Sequence, residues 1–218
     1  MKLNTTIRNT GLAAAALSLS FGLAACSSDD SSTTASDDTS SSAAAPSPTE
    51  ESSSAATDAG ADTFGPGCSA IPTEGDGSFN GMATAPVASA ASANPLLKTL
   101  VAAVTKAGLV DTLNSADALT VFAPTDDAFA KIPTKTLNAV LADKKTLTKI
   151  LTHHVIAGQL GPDQIAGEHD TLAGDTLKVE GSGDSFTVAG DNAKVLCGNI
   201  PTANATVYVI DTVLMPAA

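Results

Sequence analysis

Three kinds of hydrophobic and polar pattern divide the chain. Gly11–Leu23 is an apolar run behind two positive charges, Lys2 and Arg8, with no acid before Asp29. It is too short and too rich in Ala and Ser to cross a bilayer as a stable helix, and residues 1–25 read as a secretory leader. Residues 27–63 contain only Ser, Thr, Ala, Asp, Glu, Pro and Gly, with no large apolar side chain. Such a block cannot bury enough surface to offset its backbone entropy, so 26–64 is expected to be a disordered linker. As a random coil it would reach about 30–35 Å, and Pro46, Pro48 and the Ser/Thr clusters make it a candidate for O-glycosylation.

From residue 65 to 218 the apolar positions recur with structural periods. Asn94-Pro95 suits a helix start, Leu96, Leu97, Leu100, Val101 and Val104 form one stripe, and Gly108 suits the exit. Leu119–Ala123 reads as a buried strand ended by Pro124. Thr125 then caps a helix carrying Asp126 and Asp127 in its first turn, where carboxylates favour the positive dipole end. Leu137, Val140 and Leu141 suggest a further helix. Asp143 caps another, on which Leu147, Ile150, Leu151 and His154 share a face. After it come short β segments punctuated by Gly, Asp and Asn: 171–172, 176–179, 185–188, 194–197 and 206–214. Helices first and strands afterwards predict a single α+β domain.

Charge and cysteine content sharpen this picture. Removing residues 1–25 leaves 9 lysines against 23 acids, a formal charge of −14, and takes away Arg8, the only arginine. An acidic chain without arginine is a poor partner for nucleic acid or anionic headgroups. The leader ends in Leu23-Ala24-Ala25-Cys26, which resembles the lipobox of bacterial lipoproteins, where the cysteine thiol receives a diacylglyceryl group before cleavage. The other reading is an ordinary signal peptide that merely contains a cysteine. On the first, the mature chain begins at Cys26 and is anchored to the extracellular face of the cell membrane, with release to the extracellular space also open. Two cysteines then remain, Cys68 and Cys197. In an oxidising compartment an even pair most simply forms one disulfide; two independent buried thiols are the alternative.

Three segments together resemble the fasciclin (FAS1) domain: Leu119-Thr-Val-Phe-Ala-Pro-Thr-Asp-Asp-Ala-Phe129, Ile150-Leu-Thr-His-His-Val-Ile-Ala-Gly158, and Ala205-Thr-Val-Tyr-Val-Ile-Asp-Thr-Val-Leu-Met-Pro216. The likeness covers about 80–218 and is closer still to the mycobacterial secreted and lipid-anchored fasciclin surface antigens. Gly65-Pro-Gly-Cys68, Asp111–Ser115 and Leu196-Cys-Gly198 carry that closer match. The resemblance implies a wedge of two β-sheets packed with short helices, a Cys68–Cys197 bond, and an adhesion or interaction module without a catalytic residue set. The family often has Tyr-His where this chain has His153-His154, so integrin binding does not carry over.

The remaining chemistry is sparse. His154, in register with the apolar face, is expected to be packed and to support the fold. His153 is expected to be more exposed and more available to a partner, and His153 and His154 together are the candidate partner-binding positions. Adjacent helical histidines point about 100° apart and do not make the i, i+4 pair of zinc proteases. Asp76-Gly-Ser-Phe-Asn-Gly81 imitates the start of an EF-hand loop but places Val87 where the bidentate Glu belongs, and reads as a surface loop. No Gly-x-Ser-x-Gly elbow occurs. Asn204-Ala-Thr206 matches a glycosylation sequon that a bacterial lipoprotein would leave bare. Neither metal nor cofactor is expected, and the partner is an unidentified extracellular protein or glycan. The competing class is a cell-envelope hydrolase or carbohydrate-processing enzyme.

Overall fold

The structure is a computed structural model and describes residues 58–188 and 190–216. The leader, Cys26 and the linker up to residue 57 lie outside the described residues. A short 3-10 helix, Pro66–Ala70, precedes α1 (Phe79–Ala83), α2 (Val87–Ala93), α3 (Lys98–Ala107) and α4 (Val110–Ser115). Then come β1 (Leu119–Pro124), α5 (Asp126–Ala130), α6 (Thr134–Ala142), α7 (Lys144–His153) and β2 (Val155–Ala157). The remainder is strand: β3 (Gly167–Asp170), β4 (Thr176–Ser182), β5 (Ser185–Val188), β6 (Ala193–Pro201) and β7 (Ala205–Ile210).

The strands lie in the order β2-β1-β7-β6-β5-β4-β3. Only β1 and β7 run parallel, paired from Leu119↔Ala205 to Pro124↔Ile210. The two expected sheets are thus one continuous seven-stranded order. Its ends approach each other where Ile156 bridges Thr171 and Leu172 N donates to Val155 O at 2.8 Å. The result is a barrel-like wedge with helices on one side.

That arrangement gives two cores. Leu119, Val121 and Ala123 of β1 and Val207 and Val209 of β7 face the helices, against Leu100, Val104, Leu147, Ile150 and Leu151. The alternate residues Phe122, Tyr208 and Ile210 face inward, against Ile165, Val179, Phe186 and Leu214. Both faces of β1 and β7 are covered, which is why these segments read as unbroken apolar runs. Each large side chain so buried contributes about 1.5–3 kcal/mol. Thr120, fully buried in β1, donates its hydroxyl to Gly158 O (2.7 Å) and accepts from Leu160 N (2.9 Å).

The structure corrects several expectations. Phe64, assigned to the linker, is core: its ring lies 5.3 Å from that of Phe186, and its backbone bridges Gly198. A Cβ on Gly198 would lie 2.3 Å from the Phe64 ring, so that close approach requires glycine. One residue away, Cys68 and Cys197 form the disulfide. The helix expected from Pro95 starts at Lys98, because Asn94 is buried and its Oδ1 accepts from Leu96 N (3.0 Å) in a turn. Asp126 lies with Asp127 in the first turn of α5, as expected, and in addition accepts from Thr99 N at 2.7 Å and caps α3. At the other end Gly108 closes α3 at φ 75°, with Leu109 N donating to Val104 O. The supposed surface loop at 76–81 is half helix: Ser78 accepts from Gly81 N and caps α1.

Candidate functional site

The segment with the most concentrated polar chemistry is the end of α7. Asp143 caps this helix, accepting from Lys145 N and Thr146 N at 3.0 and 3.4 Å. Leu147, Ile150 and Leu151 then face the core and carry His154 into it at 2% exposure. The His154 Nδ1–H donates to Ile150 O (2.8 Å), and Nε2 accepts from Leu214 N (2.9 Å). A backbone N–H can only donate, so Nε2 is bare and the ring is neutral. Burial pushes its pKa down to about 4; the Ile150 carbonyl works against this and His153 adds to it. His154 is therefore a fastener between α7 and the C-terminal segment.

His153 is not the exposed residue that the sequence suggested. It is 5% exposed, and its Nδ1–H donates to Asp175 Oδ1 at 2.7 Å. The turn between β3 and β4 folds over the helix end and covers it. Thr171 donates its hydroxyl to the same Asp175 oxygen, and Thr171 N donates to Asp175 O. Burial pushes the Asp175 carboxyl up, but the bonds from Thr171 and His153 outweigh it and hold the group below the usual carboxylate range. A Thr–Asp–His set of this kind is not a hydrolytic triad. The hydroxyl donates its hydrogen bond to the carboxylate instead of facing the imidazole, and Thr171 is buried. The network closes the seam between the two ends of the strand order.

Beside His154 lies a cavity of about 70 Å3 walled by α2, α3, α4, α7 and β1, with Leu172 of the seam turn at its mouth. Asn204 holds part of that wall together, which the sequence had shown only as a sequon. Its Oδ1 accepts from Val87 N (2.9 Å), and its Nδ2 donates to Leu113 O and Ala116 O (2.8 Å each). With the amide so engaged, α2 and α4 are both tied to the turn between β6 and β7. Asn114 adds a further tie, accepting from Ala88 N at 3.0 Å.

On the disulfide side an open cleft of about 460 Å3 runs between Pro95, Leu96 and Leu196, with Asp126, Asp127 and Asp211 at its rim. Asp126 is bound to Thr99 N, and Asp211 to Lys131 Nζ (3.2 Å) and Lys194 N (2.8 Å). The third imidazole, His169, bonds Ile165 O through Nε2. Among the described residues no three His, Cys, Asp or Glu side chains converge on a metal-sized site. None of the described helices is long and apolar enough to cross a membrane.

The fasciclin domain family model matches residues 95–216, which take in β1, both histidines, the seam turn and β7. The chain belongs to the fasciclin domain family. Its relatives include the cell surface glycolipoprotein MPB83 of Mycobacterium bovis, 49% identical over 172 residues, or 75% of this chain and 77% of that one. The immunogenic protein MPB70 of the same species is 48% identical over 169 residues, 73% of this chain and 86% of that one. A solved FAS1 domain pair from the insect cell adhesion molecule Fasciclin I is 24% identical, with a TM-score of 0.46, over 55% of this chain and 45% of that one. Within this fasciclin domain the histidine pair, the Asp175 turn and Asn204 all serve to hold elements together.

Proposed function

We propose that this chain is a surface-displayed, adhesion-like protein, tethered to the membrane through acyl groups on Cys26, whose fasciclin domain binds an extracellular protein or glycan without turnover. The observation that carries this reading is the near-half identity to MPB83, a cell surface glycolipoprotein, across 77% of that protein. The leader and the Leu23-Ala24-Ala25-Cys26 segment support export and lipidation. The commitment of His153, His154, Asp175 and Asn204 to internal bonds supports binding over catalysis. The buried histidines leave recognition to the exposed surface, not to His153 or His154 as the sequence alone suggested.

The tether is tested by mass spectrometry of the chain in the membrane fraction. A diacylglyceryl group on Cys26 and loss of membrane partitioning in Cys26→Ser are expected. An unmodified Cys26, or unchanged partitioning of the variant, contradicts the tether.

A further inference from the structure

The cavity beside His154 carries an assignment of its own, independent of the tether. Its walls are hydrocarbon: Leu100, Val104, Leu113, Val121 and Leu151, with Leu172 at the mouth. No charged side chain lines it. Of the polar side chains that do, Ser92 Oγ donates to Ala88 O, Thr152 Oγ1 donates to Thr148 O, and both His154 nitrogens are engaged; the exception, Thr112, is exposed to solvent. A sugar or a peptide backbone placed there would lose most of its hydrogen bonds to water and find at most the Thr112 hydroxyl in return.

Size narrows the guest further. A dry engineered cavity of about 150 Å3 accepts benzene. At about 70 Å3 this one excludes rings and admits the last few carbons of a linear chain. The surroundings argue against a protein as the occupant. Leu172, at 47%, and Met215, at 43%, are the only large hydrophobic side chains exposed among the described residues, and Met215 lines a different cavity. A stable protein interface buries about 800 Å2 on each partner around an apolar centre. One exposed leucine does not supply that centre, whereas a chain entering end-on needs only a passage beside it. The net charge of −12 disfavours an anionic head group outside it.

We infer that this cavity receives the terminal carbons of one aliphatic chain, the acyl tail of a separate lipid with an uncharged head group, inserted past Leu172. The seam positions that mouth: Leu172 N is held by Val155 O, and the turn carrying it is held by the His153–Asp175 bond.

The test uses the full chain with Cys26→Ser, which removes any acyl group of its own. It is titrated with monolauroylglycerol below the micelle concentration and followed by methyl NMR and calorimetry. Expected is saturable one-to-one binding, with shifts confined to Leu100, Val104, Leu113, Val121, Leu151 and Leu172. Ala91→Leu, which fills the cavity from its wall, should weaken binding at least tenfold with the unfolding temperature unchanged or raised. Leu172→Ser, at an exposed position, should weaken it severalfold at unchanged stability. Absence of saturable shifts at these methyls, or undiminished binding in both variants, overturns the assignment. So does concentration-dependent dimerisation abolished by Leu172→Ser, which would give the mouth to a second copy of the chain.

Discussion

His154 spends both ring nitrogens inside the protein, and that couples its protonation to folding. Above its ordinary value of 6.5 the ring is neutral in the folded and unfolded chain alike, and its contribution to stability is complete. As pH falls from there towards about 4, the unfolded chain takes up a proton that the folded one refuses. Stability should therefore decline across that window, by about 3 kcal/mol at its lower end. Urea unfolding at pH 7 and pH 4.5 measures this. His154→Gln should be less stable at pH 7 but show a much flatter decline. An equal decline in the variant would place the acid sensitivity elsewhere; Asp175, held below its ordinary 3.8, loses its contribution only below that pH. The packed position of His154 was legible because it falls in register with Leu147, Ile150 and Leu151. That of His153 was not, because its cover arrives from a turn 22 residues later. Asn204 was legible only as a sequon because its partners lie 88–117 residues away.

At the scale of elements, helix ends are supplied partly from outside the helix. α3 has no side-chain cap of its own, and Asp126 of α5 takes that place at 2.7 Å from Thr99 N. Asp126→Ala should cost about 1 kcal/mol and speed amide exchange at Thr99–Val101, while α7, capped locally by Asp143, keeps its protection. Exchange unchanged at those amides would refute the cross-helix cap. Elements with a strong period or a local cap could be read from the sequence: β1, α5, α7 and the β4–β5 hairpin. α1, α2 and α4 have five to seven residues each and show too little of a 3.6-residue period to stand out. β3 is the polar run Gly-Glu-His-Asp at the end of the strand order, where no alternating apolar face exists to reveal it.

At the scale of the molecule, the Cys68–Cys197 bond fastens the N-terminal strap of Phe64–Ala70 to β6 across a separation of 129 residues. Restricting so long a loop in the unfolded chain contributes up to about 5 kcal/mol. Replacing both cysteines by alanine should lower stability by about 2–5 kcal/mol and expose Phe64, measurable by denaturation and by protease cleavage near residue 64. Unchanged stability would mean that the strap is held by Phe64 and its ring neighbours alone. The central claim is that the exposed surface of this fasciclin domain binds without turnover. An array of glycans and extracellular proteins, probed with the Cys26→Ser chain, tests it most directly when each bound ligand is eluted and weighed by mass spectrometry. Saturable binding to one ligand class, recovered at unchanged mass, is the result predicted. A ligand returned cleaved or modified by the chain, or no binding to any class, would contradict it.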